Sequence, residues 1–109
     1  MLELWQSEWC PASQRIRERL TELGIDYLSR QVPVEKEQRV ALRQATGSDT
    51  IPALVLDDRT TLVGEDAIRS YLDKHVAVPA GSEAHRLKAD KARRRYLEEE
   101  CQCLQPATP

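Results

Sequence analysis

The sequence predicts a single α/β domain built on a four-stranded mixed sheet. Three observations lead to this prediction. The 109 residues suffice for one hydrophobic core and not for two. Segments with strand-like alternation and segments with helix-like periodicity follow one another in the order βαβ and then ββα. Strands joined through a helix pair in parallel and strands joined by a tight turn pair antiparallel, so the sheet should be mixed.

The first half of the chain has the pattern of strand, helix and strand. Residues 2–7 alternate apolar and polar side chains, as a half-buried strand does. A helix should follow and end at Gly24, since glycine is common just after the last helical residue. Residues 27–32 alternate again, and Pro33 ends this second strand. The apolar stripe of the helix is formed by Ala12, Ile16, Leu20 and Leu23.

The second half has the pattern of helix, hairpin and helix. Residues 36–45 have helical periodicity, and Gly47 stops them. Residues 51–56 are rich in β-formers, and a turn at 57–58 leads to the return strand of a hairpin at 60–63. A third helix follows Gly64. Its buried stripe is formed by Ala67, Ile68, Tyr71 and Leu72.

Composition and charge limit the functions that the chain can have. With 40% hydrophobic and 31% charged residues, it has the composition of a soluble globular protein. No apolar run approaches the roughly 20 residues that span a bilayer, and residues 1–5 do not resemble a secretory signal. Three cysteines are too few for a disulfide scaffold, and their odd number indicates a free thiol. The free thiol indicates a reducing compartment, so we expect a cytoplasmic protein. The apolar runs are too short to suggest a membrane, and the net charge of −2 gives no reason to expect nucleic acid as a partner.

The clearest candidate functional residue is a cysteine between the first strand and the first helix. Pro11 suits the first helical position, because its missing N–H would be unsatisfied there anyway. Cys10 then lies at the N-cap, where free amides and the helix dipole favour thiolate over thiol. A thiolate is the nucleophile of disulfide exchange. The alternative is a small buried cysteine that closes the turn between strand and helix.

Two further features suggest a site, and each has a structural alternative. Pro52 stands at the start of a strong strand, which indicates either a special turn with a cis Ile51–Pro52 bond or an ordinary edge-strand proline. A cis bond would turn the Ile51 backbone outward, toward a peptide-like ligand. Glu65 and Asp66 open the third helix, where they either complement the helix dipole or bind the ammonium group of a ligand.

Together these features resemble the glutathione-binding proteins of thioredoxin fold, namely the glutaredoxins and the N-terminal domains of glutathione transferases. Residues 10–15 (CPASQR) match the glutaredoxin active-site turn, and residues 20–27 match the passage from its helix to the next strand. Residues 50–52 (TIP) match the approach to the cis-proline loop. Residues 63–72 (VGEDAIRSYL) are similar to the last helix of the transferase domain. The resemblance covers residues 1–75 and implies a thioredoxin-like domain.

The resemblance implies that glutathione is the co-substrate and gives roles to individual residues. Cys10 becomes the nucleophile that is glutathionylated. Arg39 stands where related proteins have a base for the glycine carboxylate of glutathione, although a solvated helix face explains it as well. Ile51 should pair its backbone with the cysteinyl part of glutathione, while Glu65 and Asp66 should hold the γ-glutamyl end. The residues implied to bind glutathione are thus Pro11, Arg39, Ile51, Pro52, Glu65 and Asp66.

The chain departs from the dithiol glutaredoxins at Ser13, where those proteins have a second cysteine. Cys10 therefore cannot form a disulfide within the motif, and a monothiol cycle with glutathionylated thiols remains, in which Ser13 donates a hydrogen bond to the catalytic thiolate. Glu8, with no lysine near it, should raise the Cys10 pKa. Pro11 departs from the motif of the cluster-carrying monothiol glutaredoxins, so no metal is expected.

Beyond residue 75 the resemblance ends. Residues 76–84 are predicted to be a linker, 85–104 one helix and 105–109 a flexible tail. Basic residues precede an acidic run in this helix, an order that opposes its dipole, so it should need packing or a partner to persist. Cys101 and Cys103 make at most half a zinc site, and we interpret them as incidental thiols.

Three functions stay open from the sequence. The resemblance favours glutathione-dependent thiol–disulfide exchange through Cys10. An alternative of another class is a non-catalytic module that binds a protein partner through the C-terminal helix. The third is a transferase-like domain that conjugates small electrophiles, although too few residues follow residue 75 for the helical domain of a full transferase.

Overall fold

The computed structural model describes residues 1–100, and the chain divides between Val78 and Pro79 into two compact units. The first unit contains a four-stranded sheet and three helices. Its strands are β1 (Leu2–Gln6), β2 (Tyr27–Gln31), β3 (Ala53–Val55) and β4 (Thr61–Val63). Its helices are α1 (Pro11–Glu22), α2 (Val40–Thr46) and α3 (Glu65–His75).

The strands lie in the order β2-β1-β3-β4. β1 and β2 are parallel, with Gln6 opposite Gln31, whereas β3 runs antiparallel to both β1 and β4. The predicted α/β class, the mixed sheet and the βαβ–ββα order are confirmed. β2 is an edge strand, and from Leu28 to Gln31 its side chains are exposed.

The main core packs α1 and α3 against the sheet. Its buried residues are Leu4, Ile16, Leu20, Leu23, Leu54, Ile68 and Leu72. The stripe predicted for α1 is confirmed from Ile16 onward, but it begins at the fully buried Ser13, while Ala12 is only half-buried. In α3 the predicted stripe is too wide, because Ala67 is exposed.

The single helix predicted at 36–45 is divided at Arg39. Residues Lys36–Gln38 form a 3-10 turn, Arg39 has φ −83° and ψ 47°, and α2 begins only at Val40. At this break the Arg39 side chain turns inward and is 5% exposed. The interpretation of Arg39 as part of a solvated helix face is therefore wrong.

The β3–β4 hairpin turns through Arg59, whose backbone is left-handed with φ 71°. The Arg59 amide donates to the Leu56 carbonyl at 2.9 Å, and the Leu56 amide donates to the Thr60 carbonyl at 2.9 Å. A three-residue loop of this kind favours glycine at its last position, because any Cβ is strained in left-handed backbone.

We expect Arg59→Gly to raise the free energy of unfolding by about 1 kcal/mol, since it relieves this strain. Urea unfolding measures the change as a higher midpoint with an unchanged slope. Arg59→Ala is the matched control, because it removes the charged side chain and keeps the Cβ. An equal gain in both variants would contradict the backbone explanation.

The second unit contains α4 (Ser82–Arg95), followed by a π-helical turn at Tyr96–Glu100. α4 begins inside the segment predicted as linker, and none of its residues is buried. Arg95 pairs with Glu99 at 3.0 Å. The predicted helical residues 101–104, the tail at 105–109, Cys101 and Cys103 lie outside the described residues. Within residues 1–100, no helix has both the length and the apolar character needed to cross a membrane.

Candidate functional site

Three loops meet at one end of the sheet. Trp5 of β1 lies opposite Ala53 of β3, so the end of β1 is beside the start of β3. Ala53 also lies opposite Val63, and the Gly64 amide donates to the Pro52 carbonyl at 2.8 Å. Three segments therefore lie at this same end of the sheet: the loop that carries Cys10, the turn before β3 and the first residues of α3. The topology thus brings together the three features that the sequence singled out.

Cys10 is the N-cap of α1, as predicted, and carries a free, half-buried thiol. Its backbone is extended, and its sulfur accepts a hydrogen bond from the Ser13 amide at 3.4 Å. Ser13 is fully buried, and its hydroxyl accepts a hydrogen bond from the Ser7 amide at 3.4 Å. Because a hydroxyl can donate while it accepts, Ser13 can serve both Ser7 and the thiolate.

The pKa of the Cys10 thiol is lowered by its surroundings. Burial raises this pKa, but hydrogen bonds from the Ser13 hydroxyl and amide and from the Ala12 amide outweigh burial, and the Arg15 charge acts in the same direction. The pKa rise predicted from Glu8 is therefore wrong. The Glu8 carboxylate is turned to Arg17, with which it pairs at 3.2 Å.

A buried polar group supports this arrangement behind the thiol. Gln6 is fully buried at the end of β1, where its side-chain oxygen accepts a hydrogen bond from Arg17. Its Nε2 donates to Glu8 at 3.1 Å and to Ser29 of β2 at 2.9 Å. The network holds Glu8 and Arg17 as a mutually neutralising pair beside the Cys10 loop.

The Ile51–Pro52 bond is cis, which confirms the special-turn interpretation. Pro52 is fully buried and Ile51 is half-buried. Within residues 1–100, neither the amide nor the carbonyl of Ile51 forms a hydrogen bond. The Ile51 amide and carbonyl thus remain available for hydrogen bonding at the end of the sheet that carries Cys10.

The two acidic residues of α3 have different surroundings. Glu65 is held by Arg15 of α1 through a fork, with Nε–Oε2 at 2.6 Å and Nη2–Oε1 at 2.9 Å, and Arg69 lies 3.5 Å away. Arg15 is the main cause of a lowered pKa of the Glu65 carboxyl. Asp66 is exposed and forms no ion pair with any other residue in the described part of the chain.

The first turn of α3 also presents backbone donors. Its N-cap, Gly64, has φ 92° and no side chain that could cap the helix. The first amides of a helix have no acceptor within it, so they attract anionic groups. A ligand at this end of the sheet therefore meets amide donors and the Asp66 carboxylate side by side.

Arg39 is bound on all three of its guanidinium nitrogens. Nε donates to the Pro33 carbonyl at 2.9 Å, Nη1 to the Asp49 carbonyl at 2.8 Å and Nη2 to the Val34 carbonyl at 3.0 Å. The side chain thus joins the segment after β2 to the segment that leads into Ile51. Its role in glutathione binding stays a prediction, and the contacts make Arg39 a structural link.

Sequence reasoning missed Arg15, Arg17 and Gln6. Their partners lie on other elements, and only the i,i+4 spacing of Glu65 and Arg69 is visible in the sequence as a pairing signal.

Among residues 1–100 no three metal-ligating side chains are grouped. The site combines one acidic thiol with backbone donors and a carboxylate. Such a set suits a small, peptide-like ligand that carries charged ends and a sulfur atom.

Comparisons with known proteins give a family and a fold. A model of the glutathione S-transferase N-terminal domain matches residues 9–75. No curated protein matches the chain. Buckwheat glutaredoxin, solved as a glutathione complex, is 21% identical over 67% of this chain and 68% of its own, with a TM-score of 0.55. This likeness confirms the predicted thioredoxin-like fold.

Two transferase structures are also similar. Human glutathione S-transferase T1-1 is 27% identical over 72% of this chain and 34% of its own, with a TM-score of 0.63. A glutathione S-transferase domain-containing protein from Marinobacter aquaeolei is 28% identical over 72% of this chain and 40% of its own, with a TM-score of 0.60. This chain thus covers less than half of either protein.

Proposed function

The chain belongs to the family of glutathione S-transferase N-terminal domains, and from that premise we propose that it is a glutathione-dependent thiol–disulfide oxidoreductase with Cys10 as its single reactive thiol. The observation that supports this most is the position of Cys10, an N-cap thiol of lowered pKa. Its surroundings favour the thiolate that exchange requires. A reducing compartment, which we propose to be the cytoplasm, would keep this thiol free.

The cycle needs two exchange steps. The Cys10 thiolate attacks the glutathione sulfur of a glutathionylated thiol; that S–S bond breaks, a Cys10–glutathione disulfide forms, and the substrate leaves as a thiolate that takes up a proton. A second glutathione, as its thiolate, then attacks the bound glutathione sulfur. It releases the Cys10 thiolate and glutathione disulfide, so glutathione supplies both electrons. Ser13 has no sulfur with which to divert the intermediate and hydrogen-bonds the leaving Cys10 thiolate.

The ligand would lie along the three loops. The free Ile51 amide and carbonyl pair with its cysteinyl backbone, beside Pro52. The first amides of α3 receive the γ-glutamyl carboxylate, and Asp66 receives the ammonium group. Pro11, exposed at the first position of α1, flanks the ligand sulfur. Arg39 acts indirectly, since it holds the segment that leads into Ile51.

We expect Asp66→Asn to raise KM for glutathione about tenfold and to leave kcat within about twofold, since one charge-assisted hydrogen bond to the ligand is lost. Initial-rate kinetics over a range of glutathione concentrations measure both constants. Asp73→Asn is the matched control, because it removes the same charge from the same helix, where Asp73 pairs with Arg19 at 3.2 Å. Equal rises of KM in the two variants would contradict a contact between Asp66 and glutathione.

The direct test of the function uses a chain in which serine replaces Cys101 and Cys103. Reduction of a cysteine–glutathione mixed disulfide is followed through glutathione reductase, and the intermediate is trapped by acid and weighed by intact mass spectrometry. We expect turnover and one glutathione on Cys10. A protein that neither turns over nor carries glutathione would contradict the proposal.

One observation favours a second candidate function. α4 carries six basic and two acidic residues, and none of its side chains is buried. A helix of this kind would suit an acidic protein partner, for which the domain is a non-catalytic carrier. Cys10→Ser separates the candidates, because it removes exchange and leaves such binding intact. Conjugation of an aromatic halide tests a transferase-like activity in the same preparations.

A further inference from the structure

Ser7, Cys10 and Ser13 form a closed ring of three hydrogen bonds just after β1. The Cys10 amide donates to the Ser7 carbonyl at 3.2 Å, and the Ser13 amide donates to the Cys10 sulfur at 3.4 Å. The Ser7 amide completes the ring, since it donates to the Ser13 hydroxyl at 3.4 Å. Ser7 is 2% exposed and Ser13 is fully buried, whereas Cys10 is half-buried. Cys10 is therefore the member of the ring that a ligand can reach.

The side chain of Ser7 anchors this ring to the segment that follows β2. Its hydroxyl donates to the Val32 carbonyl at 2.9 Å, across 25 positions of the chain. The Val32 amide donates to the Gln6 carbonyl at 3.0 Å, so the segment after β2 continues beside the end of β1. Without the Ser7 hydroxyl, the Val32 carbonyl would lose this donor, and the turn from Ser7 to Cys10 would lose its side-chain tie to the sheet.

Resting on the proposed function, we propose that Ser7 is a positioning residue for disulfide exchange, which acts through the ring and holds the Cys10 sulfur against the donors of Ser13. The ring also orients the Ser13 hydroxyl. Because its oxygen accepts from the Ser7 amide, its hydrogen is left to point toward the sulfur. Donors that are already in place stabilise the thiolate without rearrangement when it attacks and when it leaves.

This role of Ser7 is independent of the charges around Cys10. The charged side chains at this end of the sheet are Glu8, Arg15, Arg17, Glu65, Asp66 and Arg69. Replacement of Ser7 by another neutral residue leaves all of them in the chain. A change in the reactivity of Cys10 would then report the position of its hydrogen-bond donors and not the loss of a charge.

The test measures the rate of Cys10 alkylation against pH, in the chain with serine at 101 and 103. We expect Ser7→Ala to move the midpoint of this profile upward by about half a pH unit, because the Ser13 donors that lower the Cys10 pKa are held less firmly. Ser7→Thr keeps the hydroxyl and should keep the parent midpoint. In mixed-disulfide reduction, Ser7→Ala should lower kcat about threefold and leave KM for glutathione within about twofold, since the ring contacts the sulfur and not the ligand.

Thr46→Val is the matched control. The Thr46 hydroxyl also donates to carbonyls, those of Leu42 at 2.9 Å and Ser48 at 3.0 Å, but it lies at the end of α2 and outside the ring. Thr46→Val should leave the alkylation midpoint unchanged, even where it lowers the urea midpoint as much as Ser7→Ala does.

The ring also predicts that Ser7 and Ser13 are coupled. When Ser13→Ala is already present, the ring is open at the Ser13 hydroxyl. Ser7→Ala should then move the alkylation midpoint by less than half of its shift in the parent, since contacting residues that act through one network are not additive.

An unchanged midpoint in Ser7→Ala, an equal shift in Thr46→Val or a full shift in Ser7→Thr would overturn the proposal. So would a Ser7→Ala shift that persists in full beside Ser13→Ala, since Ser7 would then act by another route. Failure of the proposed function is a separate result, because it appears as a parent protein that does not reduce mixed disulfides. Alkylation needs no turnover, so the comparison of midpoints holds in either case.

Discussion

Cys10→Ser should lower the reduction of glutathione mixed disulfides to the rate measured without protein. A serine hydroxyl cannot form the mixed disulfide. Among residues 1–100 no other side chain is a thiol, since Ser13 occupies the second cysteine position of the motif. Rates with glutathione and a mixed disulfide, with serine at 101 and 103, measure the loss. Residual turnover well above background would show that the chemistry does not pass through Cys10.

Ser13→Ala tests the same site while it keeps the Cys10 thiol. It removes a hydrogen-bond donor from the thiolate, so the pKa of Cys10 should rise toward that of a free cysteine. Because the folded pKa of Cys10 is lowered, the wild-type alkylation rate should reach its plateau at a lower pH than that of a free thiol. The Ser13→Ala profile should move to higher pH. Identical profiles would contradict a role of the hydroxyl in holding the thiolate.

Arg39→Met should lower the free energy of unfolding by about 3 kcal/mol or more. Three carbonyl groups lose a charged donor at a site that is almost closed to water, and each such hydrogen bond contributes about 1.5–3 kcal/mol. Urea unfolding measures the loss as a lower midpoint.

Arg43→Met is the control for this loss. Arg43 also donates to two carbonyls, those of Lys36 and Glu37, but it is exposed, so its removal should cost no more than about 0.5 kcal/mol. Comparable losses in both variants would contradict the importance of burial. In Arg39→Met we also expect a higher KM for glutathione, because the segment before Ile51 is no longer tied to Pro33 and Val34.

The features predicted correctly from the sequence have causes that lie close together in the chain. Cys10 is an N-cap because Pro11 follows it and apolar residues recur along α1. The site at one end of the sheet follows from the element order alone. The errors at Ala12 and Ala67 have a common reason, since alanine is apolar but small enough to sit on either face of a helix.

The features that were missed depend on distant contacts. The inward position of Arg39 could not be predicted from sequence patterns, because its partners are backbone carbonyls, which have no sequence signature. Arg15 and Glu65 meet only after the sheet has formed, 50 residues apart. Glu8 is close to Cys10 in sequence, yet the contact that decides its effect is with Arg17. For Glu8 and Arg15, the residues nearest in the chain did not predict the partner that decides their electrostatic effect.

The exposed outer strand β2 has a consequence for how this small sheet stays separate from other chains. An unpaired strand edge can template pairing with another molecule, and an outward charge hinders that pairing. Arg30 supplies such a charge at the fourth residue of β2, where it is held by Glu3 at 2.9 Å and by the Trp5 ring, whose centroid lies 5.8 Å from the guanidinium carbon. An exposed charge at this position opposes strand addition at the edge, an effect separate from the chemistry at Cys10.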